Sequence, residues 1–230
     1  QGRAGVIVYE LNGLNITEIW RHKSTVGQVT MARPTSTGEF VLLHVGAVTG
    51  QIVRVSDHET LVSAKASSQM YHHNITGLVD GRYMGFWANS SAERWYDFGE
   101  NDSFDKPVRV TDASSGYTPR AAQTGGITAY GDQALAMGNG GYVLYDPNTV
   151  TAAQMAALSF IKPVDGYGAT AKVNIYGKPT IAGNMMISCD RIYSRIYITD
   201  ITDVDHPVLL ASFEKGVGNP DIAKVSGNTV

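Results

Sequence analysis

Four short apolar segments recur along this chain at nearly even intervals. They are QIVRVS at Gln51, RWYDFG at Arg94, GYVLYDP at Gly141 and RIYITDI at Arg195, with starts 43, 47 and 54 residues apart. VIVYEL at Val6 lies 45 residues before Gln51 and fits the same slot. A period of ~40–50 residues is that of stacked supersecondary units.

Around each segment the chain groups into strands. Val29–Arg33, Phe40–Val45, Gln51–Val55 and Thr60–Ala64 read as four, separated by STGE, GAVTG and SDHE, all turn chemistry. The next unit runs from His73 to Thr111: Asn74–Val79, an Asp80-Gly81 turn, then Tyr83–Trp87, Glu93–Phe98 and Pro107–Thr111. Gly126–Tyr130, Gln133–Met137, Gly141–Asp146 and Met155–Phe160 follow; the last is open to a short helix, since Ala and Met favour one. Ala171–Tyr176, Asn184–Cys189, Arg195–Asp200 and Val208–Phe213 make the final set. Val6–Leu11 with Ile16–Arg21 precedes these units, and Ile222–Val225 opens another.

The expected fold is all-β: a β-propeller of four-stranded antiparallel blades, in one domain spanning 1–230. Half a blade covers 1–28, whole blades cover 29–66, 67–113, 114–161 and 162–215, and a half covers 216–230. The competing arrangement is an antiparallel sandwich, whose strands also recur every ~8–12 residues. About five blades' worth of chain closes as a five-bladed ring or forms part of a larger, seven-bladed one. The chain stops at Val230, where a second strand is due, and that favours the larger ring.

Composition narrows the partners. Lys+Arg 18 against Asp+Glu 21 gives a formal net charge of -3, which leaves no basic footprint for nucleic acid. The single Cys189 excludes an internal disulfide and a multi-thiolate metal site. No run approaches the ~18 apolar residues of a membrane span. No leader peptide is visible, and Gln1 is compatible with a trimmed chain.

Blade connectivity points to a site. Loops entering the innermost strands open on the same face as loops joining second to third strands. They carry His44, His72, His73, Asn74, Asn89, Arg94, Tyr117, Arg120, Asp190 and Arg191. His72 and His73 are candidate catalytic residues, because a histidine titrates near neutrality and serves as base or metal ligand. Tyr117 is a candidate proton-exchange partner. Arg94, Arg120 and Arg191 suit an anionic substrate, since a guanidinium grips a carboxylate through two hydrogen bonds. His44, Asn74, Asn89 and Asp190 complete the expected binding set. For any one of these the bland alternative is a hydrogen-bonded loop residue, or an arginine paired with Glu93, Asp97 or Asp190 on a solvated rim.

Trp87, Trp95 and Tyr96 are candidate sugar-stacking rings, with Trp87 the best fit to a core position. Asp97, Asp165 and Asp190 are candidate acids, although no pair for glycoside hydrolysis stands out. No metal or cofactor is expected. A divalent-metal site from His44, His72 and His73 stays open, but the spacing matches no specific zinc pattern. Asn15-Ile-Thr, Asn74-Ile-Thr, Asn89-Ser-Ser and Asn101-Asp-Ser are formal glycosylation sequons.

Two resemblances add to this reading. IYITDITDVDHPVLLASF, Ile196 to Phe213, resembles the LVIVD-type propeller repeat, with Asp200 and Asp203 in Asx turns and Pro207 leading into an outer strand. That likeness implies a non-catalytic surface propeller used as a binding or interaction scaffold. YHHNITGLVDGRYMGFWANS together with the later CDRIYSRIYITDITD resembles seven-bladed propellers acting on rhamnose–glucuronate ends of plant arabinogalactan glycans, which include polysaccharide lyases and glycoside hydrolases. It implies a carbohydrate-active enzyme: His72 or His73 moving a proton, Arg94, Arg120 or Arg191 holding the uronate carboxylate, and an oligosaccharide or polysaccharide as partner. A secreted, periplasmic or cell-surface location is the matching expectation.

Overall fold

A computed structural model describes residues 5–25, 27–46, 49–65, 79, 81–86, 94–112, 127–138, 141–149, 160–165, 179–190, 194–214 and 226. Their strands form five sheets in chain order. The first holds β1 (Val6–Asn12) and β2 (Asn15–His22); the second holds β3 (Val29–Pro34), β4 (Phe40–Val45), β5 (Thr49–Arg54) and β6 (Thr60–Lys65). The third holds β7 (Tyr83–Phe86), β8 (Arg94–Asp97) and β9 (Val108–Asp112), and the fourth β10 (Ile127–Tyr130), β11 (Gln133–Gly138) and β12 (Gly141–Tyr145). The fifth holds β13 (Thr180–Ala182), β14 (Met185–Asp190), β15 (Arg195–Asp200) and β16 (Val208–Glu214). Each strand pairs antiparallel with its sequence neighbour.

The two three-stranded sheets carry traces of a fourth partner. Val79 bridges to Tyr83 ahead of β7, and Ile161 exchanges main-chain bonds of 2.8 and 3.0 Å with Tyr142 beyond β12. In the fifth sheet the position beside β14 belongs to Thr180–Ala182. The expected Ala171–Tyr176 strand lies outside the described residues, as do Ile222–Val225 and all but the last residue of Asn74–Val79 and Met155–Phe160.

Strand alternation explains how the sheets stack. Successive side chains of a strand point to opposite faces. In β4, Phe40 and Leu42 join a core with Met84, Tyr96 and Phe98 of the third sheet. The intervening Val41, Leu43 and Val45 join a different core with Val6 and Trp20 of the first. Likewise in β11, Ala134 and Ala136 pack with Trp95 of the third sheet, whereas Leu135 and Met137 pack with Met186 and Tyr197 of the fifth. A sandwich strand buries one face in a single core. These strands bury both faces, each against a different neighbouring sheet, and that is radial stacking.

Local chemistry repeats with the sheets. At or just beyond the end of the third strand an aspartate accepts the amide N–H two residues on: Asp57 from Glu59 at 3.0 Å, and Asp97, Asp146 and Asp200 from Gly99, Asn148 and Thr202 at 2.8 Å each. These are Asx turns, which let a short side chain close the loop to the next strand. β10–β11 and β13–β14 close with two-residue hairpins, where Gly131 and Gly183 take φ of 58° and 57°, conformations a Cβ disfavours. Pairs β1–β2, β3–β4, β5–β6, β8–β9 and β15–β16 each contain a register shift.

Side chains also stitch sheet to sheet. Asp102, in a short turn after β8, accepts hydrogen bonds from the hydroxyls of Thr35, Ser36 and Thr37 in the β3–β4 turn. Tyr142 donates its hydroxyl to the Val204 carbonyl at 2.6 Å.

Candidate functional site

Strand direction decides where loops emerge. β4 runs out at Val45 and β5 starts at Thr49, and β6, antiparallel to β5, runs out at the same end. By the same alternation Arg94 opens β8, and Asp190 closes β14, at the corresponding end of their sheets. His72, His73, Asn74, Asn89, Tyr117, Arg120 and Arg191 lie outside the described residues, and Arg94 and Asp190 are described in their backbone alone.

Of the ten loop-face candidates, His44 is the one with a described side chain. It is 2% exposed and shares the face of β4 that turns towards the third sheet. It is packed between sheets and is not presented to solvent. Trp95 and Tyr96 are buried as well, one in each of the two cores flanking the third sheet. Trp95 meets Tyr145 edge-on, with centroids 6.1 Å apart and planes at 83°. Neither ring is a platform for sugar, because a strand covered on both faces sends each aromatic into a core.

Asp97 is likewise structural. Burial pushes its carboxyl up, but the Arg82 guanidinium and the Gly99 amide outweigh this and hold it below the ordinary carboxylate range. Arg82 forms a two-pronged fork on it, with both N···O distances 2.6 Å, and lies over the rings of Tyr83 and Phe104. The sequence left Asp97, with Glu93 and Asp190, as an acid that Arg94, Arg120 or Arg191 could pair with. Arg82, directly before β7, reaches Asp97 at the end of the paired β8.

The end of the sheets carrying the β3–β4 and β5–β6 turns is rich in such pairs. Arg54 holds Asp57 and Glu59 and donates to the Asp105 carbonyl at 3.1 Å. The Arg54 bond holds the exposed Asp57 carboxyl down to about 2. Sequence reading missed Asp102 and Arg82, whose partners are remote or sit across a turn. The only local signal was the strand-ending Asp. Among the described residues no three of His, Cys, Asp and Glu converge as a metal site, and no helix is long and apolar enough to cross a membrane.

Stacked antiparallel sheets with separate cores between successive members define the class: this is a β-propeller fold. Solved structures agree. The computationally designed Ika8 protein is similar with TM-score 0.61 and 12% identity over 99% of this chain and 62% of its own. A chain of the mitotic checkpoint complex gives 0.55 and 10% over 94% and 61%. The WD40 domain of Toxoplasma gondii coronin gives 0.54 and 13% over 91% and 53%. The chain thus spans about three fifths or less of the length of these chains. At such identities the likeness is one of fold. No protein-family model and no curated protein matches the sequence.

Proposed function

We propose that this chain works as a non-catalytic propeller that binds a partner through the loops at the end where β4 and β6 run out. One observation carries the reading. Of the residues selected for chemistry and described with side chains, His44, Trp95, Tyr96 and Asp97 are buried between sheets or bonded within them, and Asp165 is half-buried. Four of these five side chains are part of the scaffold. The test is incubation with rhamnose–glucuronate oligosaccharides. The expected result is no unsaturated uronate and no released rhamnose. Turnover that disappears in His72→Ala or His73→Ala would overturn the reading.

A second reading keeps the glycan. It is favoured by strand direction, which sends the chain towards residues 66–78 and 87–93 at the end where Arg94 opens β8. In that reading His72 or His73 removes the proton beside the uronate carboxylate, and Arg94, Arg120 or Arg191 stabilises the enolate-like intermediate. Loss of turnover in Arg120→Ala with retained binding of rhamnose alone would support it.

A further inference from the structure

Trp20 lies on the face of β2 that packs on the second sheet and is 4% exposed. His22, two residues on and therefore on the same face, is 8% exposed. Its ring lies parallel to the indole, with centroids 5.7 Å apart and planes at 9°. From the second sheet His58, in the turn between β5 and β6, brings its ring to 5.5 Å from the same indole. His58 holds that place with a left-handed backbone, φ 64°, which residues other than glycine seldom adopt. Three rings from two sheets thus share one layer, and histidine is the side chain that changes charge near neutrality.

We propose that this cluster is a proton-operated latch, in which a neutral His22 closes the layer between the first and second sheets and its charging in mild acid loosens that layer. The surroundings set the sign. A charged His22 would sit against Trp20, in a layer whose other members include Val6, Val41, Leu43 and Val53. A buried charge without a partner is costly. The carboxylates nearest in sequence are engaged elsewhere: Asp57 and Glu59, on either side of His58, are both held by Arg54, and Glu18 of β2 is held by Arg21. Lys23, directly after His22, adds a further positive charge. Burial, and after it the nearby His58, lower the His22 pKa, and no acid among the described residues offsets them. The stability this ring contributes is complete above about pH 6.5 and is lost as pH falls towards the folded value. The charge develops in one layer, so contacts across that layer yield before those between other sheets. The latch uses no residue of the binding role proposed above.

Hydrogen–deuterium exchange of the whole chain between pH 8 and pH 5, corrected for the intrinsic exchange rate, tests it. Protection in β2 and in the β5–β6 hairpin is expected to fall below about pH 6.5, while that of β11 and β14 holds. His22→Phe keeps a ring against Trp20 that cannot take a proton, and there the fall is expected to vanish. His58→Asn, at an exposed turn, suits the left-handed backbone and removes the second imidazole, so the fall is expected to shrink. Circular dichroism checks that both variants fold, and His58→Asn alone decides if His22→Phe does not. Equal loss of protection in all sheets, a fall that persists in His22→Phe, or one unchanged in His58→Asn would each overturn the proposal.

Discussion

The Thr35 hydroxyl donates to Asp102 Oδ2 at 2.6 Å across 67 positions of chain, tying a turn of the second sheet to a turn of the third. The Thr37 amide adds a bond of 2.9 Å, and the Ser36 hydroxyl one of 3.3 Å to the other oxygen. Asp102 reaches this cradle because Asn101 and Asp102 both take left-handed backbone angles, φ 51° and 56°, which Asn and Asp tolerate better than most residues.

Asp102→Ala is expected to destabilise the fold by about 3 kcal/mol, since several buried donors lose a charged acceptor at once. Burial pushes this carboxyl up, yet the Thr35, Thr37 and Ser36 bonds hold it below its ordinary value. A depressed carboxylate stabilises the fold fully above the unfolded value of about 4, and the contribution drains away as pH falls through the folded one. Urea unfolding from neutrality to pH ~3 should show wild type losing stability relative to Asp102→Ala.

Tyr142→Phe removes the side-chain bond from the fourth sheet to the Val204 carbonyl. The ring stays buried, so the loss isolates the hydrogen bond, about 1–2 kcal/mol by equilibrium unfolding. Burial also holds the Tyr142 hydroxyl well above the usual phenol range. The variant should therefore show the same pH profile as wild type through neutrality.

Gly85→Ala tests overpacking. A Cβ there would meet the Trp95 indole at 2.7 to 2.9 Å, and Trp95 is fully buried against Tyr145. A rigid ring wedged between sheets has nowhere to move, so a cost of about 1–3 kcal/mol is expected. Unfolding monitored by tryptophan fluorescence gives the measurement.

His22 supplies a second pH window. Its ring stacks beside Trp20, whose other neighbour is His58. Burial, with the nearby His58 adding to it, lowers the His22 pKa. The folded state therefore binds fewer protons, and stability should fall as pH drops below the unfolded value of about 6.5 until the folded value is passed. Thermal unfolding from pH 8 to 5 should show that loss, and His22→Phe should flatten it.

Much of the fold was legible. The Phe40–Val45 strand falls on its expected bounds, and Asp200 and Asp203 accept the Thr202 and Asp205 amides as Asx turns require. Both depend on neighbours in sequence. The aromatic pair Trp95-Tyr96 misled for the same reason. Adjacent rings suggest a stacking surface, but adjacent residues in a strand face opposite ways, and here both ways lead inward.

Period, turn chemistry and alternation are local quantities, and the chain alone determined from them that it makes short antiparallel strands in groups. Which carboxylate meets which donor depends on two turns 65 or more positions apart arriving at one place. Only the stacked sheets settled that, as they settled that His44 is interior. Burial on both sides of a strand is a property of its neighbours, and no residue pattern within the strand encodes who they are.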